Sequence, residues 1–143
     1  MTSPRTIAPL AALVAGLALA APPAAAEGRL TIELNKFEEA EEAGCRAFFL
    51  FRNDTGLTLE AFEMSLAILG RDGVIDRLLT IDAAPLPSAR TTLKLFEIPE
   101  TRCGAIGEIL LHDIPACQPQ NAPAIDCFPL LDLVSRTGAA MVN

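Results

Sequence analysis

Period-two alternation governs most of this chain. From Leu30 onward, apolar side chains recur at every second position in short segments separated by turn residues, which suits half-buried strands and not amphipathic helices. Leu30, Ile32 and Leu34 alternate with Thr31, Glu33 and Asn35. Cys45 to Phe51 is a second predicted strand, dense in aromatics at Phe48, Phe49 and Phe51. Leu59 to Leu69 sets Phe62, Met64, Leu66 and Ile68 on one face and Glu63 and Ser65 on the other. Ala61, Glu63, Met64 and Leu66 would also tolerate a helix, but the alternation and the flanking turns favour a strand. Val74 to Ile81, Thr91 to Ile98 and Ile106 to Leu111 follow, and Leu130 to Ser135 reads as a last strand or a short helix.

The intervening segments carry turn chemistry. Arg52 to Gly56 (RNDTG) is one turn, and Gly70-Arg71-Asp72-Gly73 is a hairpin turn, because Gly and Asp accept the positive φ such turns require. Pro85 and Pro87 open another connection, and Pro99 to Gly104 is a break containing Cys103. Phe37 to Gly44, with Glu38, Glu39, Glu41 and Glu42, reads as a solvated connecting loop. Pro115 to Pro129 reads as an irregular loop, too long to stay ordered without a tie. Seven short strands without a convincing helix predict an all-β fold, a single antiparallel β-sandwich.

Residues 1–26 stand apart from that pattern. Met1 to Arg5 is a short basic segment, Thr6 to Ala21 is rich in Ala and Leu, and Ala24 and Ala26 fit the small-residue rule for signal peptidase, placing cleavage before Glu27. The alternative is a membrane anchor. The apolar run is shorter than the ~20 residues a span needs, and Pro9, Pro22 and Pro23 interrupt it. Arg5 is the one cation ahead of it, so there is no twin-arginine signal, and no Cys follows that could carry a lipid. Cleavage would leave 117 of the 143 residues, and loss of Arg5 would take the net charge from −7 to −8. The expectation is a soluble, acidic domain over 27–143, periplasmic or secreted. Such a charge argues against nucleic acid, whose binding needs a basic surface. An apolar content of 51% excludes a disordered chain.

Four cysteines, an even number, lie beyond that leader: Cys45, Cys103, Cys117 and Cys127. In a small exported domain they read as two disulfides, with three possible connectivities. A four-thiolate zinc site or a redox pair would need short-spaced motifs, whereas the spacings are 58, 14 and 10. If successive strands alternate in direction, the beginnings of the second and sixth strands fall at one end of the molecule, and Cys117, after the sixth, falls at the other. That selects Cys45–Cys103 with Cys117–Cys127.

The runs GCRAFFLFRNDTG, LTLEAFEMSLAILGRDGVI and KLFEIPETRCGAIGEILLHDIPAC resemble a group of small exported proteobacterial proteins, often labelled only hypothetical or as bearing a Tat-type signal. The missing twin arginine departs from that label. The middle section is similar, more loosely, to FxLYD-type and other immunoglobulin-like modules, in which an Asn-x-Thr/Ser-Gly turn precedes a long strand and a Gly-bearing hairpin follows it. These resemblances imply an immunoglobulin-like β-sandwich in the periplasm and attach no catalytic residue to either pattern.

Chemistry-bearing motifs are sparse. His112, the one histidine, is followed by Asp113, but neighbours in a strand face opposite ways, and Ser65, Ser88 and Ser135 lie outside any nucleophile motif. No HExxH, EF-hand or phosphate-binding loop can be assembled, so no cofactor or metal is expected. Asp72 reads as a turn residue, and Asn53-Asp54-Thr55, formally a glycosylation sequon, likewise as a turn. The nearest approach to a functional surface is the second strand. With Ala47, Phe49 and Phe51 on one face, Phe48 and Leu50 fall on the other, between Arg46 and Arg52. They need cover from the chain itself, which is the plainer expectation, or from a partner. The function expected is thus a non-catalytic periplasmic domain that binds another protein, such as an envelope protein, or another envelope component. An enzyme or enzyme accessory with an unrecognised site, and a cation-binding protein using Glu38–Glu42, are the alternatives.

Overall fold

The computed structural model describes residues 28–143, together with Thr2 and Pro4. Apart from those two positions, the expected signal peptide 1–26 and its cleavage before Glu27 lie outside the described residues. The remaining chain is mostly strand: β1 (Leu30–Glu39), β2 (Cys45–Asn53), β3 (Leu59–Gly70), β4 (Ile75–Asp82), β5 (Arg90–Ile98), β6 (Ile106–Pro119), β7 (Leu131–Ser135) and β8 (Ala140–Val142). Short 3-10 turns at Cys103–Ala105 and Phe128–Leu130 lead into β6 and β7. Two four-stranded sheets result, in the order β5-β2-β1-β7 (sheet one) and β4-β3-β6-β8 (sheet two).

Alternation builds the core. Ile32 and Leu34 of β1, Phe49 and Phe51 of β2, Phe62, Met64, Leu66 and Ile68 of β3, and Ile109 and Leu111 of β6 form one buried cluster that draws on both sheets. Phe51 and Phe62 meet edge to face between the sheets, 6.2 Å between centroids. Cys45 is bonded to Cys103 and Cys117 to Cys127, with Cα separations of 4.9 and 6.1 Å, at opposite ends of β6. Two disulfides fit an oxidising compartment.

Several details depart from the expectation. There are eight strands among the described residues, not seven, and they are not all antiparallel: β7 runs parallel to β1 and β8 parallel to β6. The chain leaves sheet two after β6, joins sheet one as β7 and returns as β8, so each short C-terminal strand lies along a sheet edge beside a like-directed neighbour. Arg29 fastens one of these edges, its guanidinium gripping Asp132 through Nε (3.0 Å) and Nη2 (2.6 Å) and donating to the Pro129 and Leu131 carbonyls. Phe37 to Glu39, expected in a loop, continue β1 past a bulge at Leu34/Lys36 and pair with β2. β6 likewise runs through Pro115 to Pro119. Proline removes a ladder donor, but β8 covers only Glu108–Leu110, so the outer side of the later part of β6 needs none.

The turns follow their chemistry. Gly73 has φ +77°, the left-handed region, and donates to Gly70 O, while Asp72 accepts from Val74 N. Asn53 is 1% exposed and is a hub, not an accessible sequon: Nδ2 donates to Leu57 O (2.8 Å) and Leu86 O (2.9 Å), and Oδ1 accepts from Thr55 N and Oγ1.

Candidate functional site

Because Ala47, Phe49 and Phe51 of β2 point into the core, Arg46, Phe48, Leu50 and Arg52 point outward from sheet one. β5 adds to this face in register, Leu95 opposite Phe48 and Leu93 opposite Leu50, giving a two-by-two apolar block. Leu93 and Leu95 are 59% and 52% exposed, while Phe48 and Leu50 are half-buried. Lys36 Nζ lies 5.2 Å from the Phe48 ring centroid, a cation–π contact. The cover expected for Phe48 and Leu50 is therefore partial and comes from side chains of the adjacent strands.

Sequence reasoning reached Phe48 and Leu50 but missed Leu93 and Leu95. The run LKLF offers two leucines against Lys94 and Phe96, and nothing local says which pair faces the core. Pairing with β2 decides it: Lys94 lies opposite inward-facing Phe49, and its Nζ reaches the Ala84 carbonyl at 3.1 Å. β5 is an edge strand, and an inward-directed cation there discourages pairing with another chain. Arg77 holds the equivalent place on β4, the edge of sheet two, opposite buried Ile68.

Glu33 occupies the middle of the face. In register it stands between Leu50 on β2 and Val134 on β7, so the row Leu93–Leu50–Glu33–Val134 crosses all four strands. Only 2% of Glu33 is exposed. Asn35 Nδ2 donates to Oε1 at 2.8 Å, and Arg52 Nη2 and Arg136 Nε lie 3.5 and 3.6 Å from Oε2, which has no hydrogen bond. The Asn35 hydrogen bond, aided by both guanidiniums, holds this carboxyl below its ordinary range although burial opposes it.

The other candidates fare differently. Ser65 and His112 meet on the outer face of sheet two, Oγ to Nε2 at 2.8 Å. Bulges in the β3–β6 pairing set Asp113 opposite Ser65, which breaks the simple alternation expected there. The Asp113 carboxylate accepts from Ile114 N. Both His112 and Asp113 are exposed, and neither lines the cleft of about 220 Å³ formed at the C-terminal end of β3 by Ile68, Gly70, Asp76, Thr101 and Ile106. In the acidic segment, Glu38 is ion-paired with Lys36 and Arg46, and Glu39 accepts from Cys103 N and lies near Arg102. No group of three or more His, Cys, Asp or Glu is placed to hold a metal ion among the described residues. Among those residues, too, no helix is long and apolar enough to cross a membrane.

No family model matches this chain, and no curated protein matches it by sequence. A solved structure described as the structural characterization of IrmA from Escherichia coli aligns with a TM-score of 0.58 at 12% identity, covering 74% of this chain and 91% of that one. The likeness is one of fold.

Proposed function

We propose that this chain is an exported, non-catalytic, immunoglobulin-like β-sandwich of the periplasm, and that it binds another protein of the cell envelope through the outer face of sheet one. The exposed Leu93 and Leu95 beside Phe48 and Leu50 carry this reading. A contiguous apolar block framed by Arg46 and Arg52 is the composition of a protein-docking surface, where apolar centre and polar rim go together. The two disulfides support the address, and the loose likeness of the RNDTG turn and GRDG hairpin to immunoglobulin-like modules supports the fold type. The test is to replace Leu93 and Leu95 with Glu and follow copurifying envelope proteins. A partner lost from the variant, with the circular dichroism spectrum unchanged, is the expected result. An identical partner set at equal yield overturns the reading.

The Ser65–His112 contact favours a second reading, an esterase-like or accessory site, since a hydroxyl on an imidazole is the first element of an activated nucleophile. Labelling of Ser65 by a fluorophosphonate would establish it. Absence of label on the folded protein is expected here, because the pair sits on an open sheet face with no wall to exclude water.

A further inference from the structure

We infer that the partner docks by setting a carboxylate between Arg52 and Arg136 and laying apolar side chains on the neighbouring Leu50 and Leu93, so that the surface recognises an acidic–apolar protein segment. The inference rests on the face proposed above and specifies what that face takes.

A carboxylate buried in the middle of an outward row is costly unless it is paired. Glu33 is paired twice, with guanidiniums at 3.5 and 3.6 Å from the same oxygen. Neither distance makes a hydrogen bond, and Oε2 has none. Two cations therefore converge on one anion, and a surplus positive charge is left in an otherwise apolar row. Each guanidinium has five N–H donors in a planar fork. The Arg52 and Arg136 side chains are 45% and 63% exposed, so those forks are accessible from solvent. Arg136 is held in place by its own backbone, whose N–H donates to Leu34 O at 2.8 Å. An anion arriving from solvent meets two accessible forks converging on one oxygen, and a carboxylate matches a guanidinium in bidentate fashion.

Charge elsewhere decides for a protein over a bilayer. Lys36 and Arg46 share Glu38, and Arg29 holds Asp132, so the face presents one focal site and not a basic field. The chain as a whole carries −7, which an anionic membrane repels. The flat apolar block beside the arginines, repeating at strand spacing, suits side chains of a folded or extended segment.

The test uses the mature, disulfide-intact protein, followed by NMR during titration with two blocked pentapeptides that alternate leucine with glutamate or with glutamine. The glutamate peptide should shift Leu50, Arg52, Leu93 and Arg136, and the glutamine peptide should bind about tenfold more weakly. Arg52→Gln and Arg136→Gln should each remove that preference while the spectra stay folded, and Leu95→Ser should weaken both peptides alike. Equal binding of the two peptides on the face overturns the carboxylate inference and leaves the docking face standing. No shift on the face from either peptide overturns both. Preferential binding to phosphatidylglycerol vesicles replaces the protein segment with a lipid surface and also overturns the inference.

Discussion

Asn53 makes four hydrogen bonds from a position with 1% exposure, joining the end of β2 to its turn and to Leu86 in the next connection. Asn53→Ala would remove all four bonds, leaving the buried Thr55 N–H without its acceptor and the Leu86 carbonyl with Leu59 N alone, and should cost about 2–3 kcal/mol in denaturant unfolding. A loss below half that value would mean water replaces the side chain. Glu33 gives a pH dependence. Its folded-state pKa lies below the ordinary 4.5, so its stabilisation is complete above that value and is lost as pH falls through the lower folded one. Thermal stability should therefore drop on acidification below about pH 4.5, and Glu33→Gln should flatten that drop. An unchanged profile would show that Asn35 and the two arginines leave the titration untouched. The turn at Asn53 was legible, because Asn-Asp-Thr-Gly carries its own geometry. Glu33 was not: alternation marks it as solvent-facing, and the Arg136 that helps to cover it lies 103 positions away.

Strands were easier to read than their neighbours. β2, β3 and β5 begin or end within two residues of where alternation places them, because each has one face in the core. The later part of β6 was hidden by Pro115, which reads as a break unless the outer side of the strand is known to be unpaired. β8, three residues long, holds no pattern that could show it. Nor does alternation distinguish parallel from antiparallel neighbours, which is why the β1–β7 and β6–β8 pairs went unforeseen. The Cys45–Cys103 bond links positions 58 apart in sequence and joins the start of β2 to the entry of β6. Closing a loop of that size contributes about 4 kcal/mol in the chain-entropy model, against about 3 for the loop between Cys117 and Cys127. Cys45→Ala and Cys103→Ala should each lower the melting temperature, and the double variant should lose little more. Additive losses would contradict a shared bond.

At the scale of the whole molecule, the two sheets treat their open margins alike. Lys94 on β5 and Arg77 on β4 each direct a cation inward from an edge strand, which disfavours edge-to-edge pairing. The apolar content and turn spacing made the β-rich, two-sheet build legible, but the proposed docking face needed the pairing of β5 with β2 before Leu93 and Leu95 could be placed beside Phe48 and Leu50. A photo-crosslinking scan in the intact envelope tests that face most directly, with the reactive side chain placed in turn at positions 48, 50, 93 and 95 of sheet one and at 63, 80 and 118 of sheet two. Adducts with one protein from the first group and none from the second are the predicted result. Adducts from the second group alone, or an even scatter across both sheets, would contradict it.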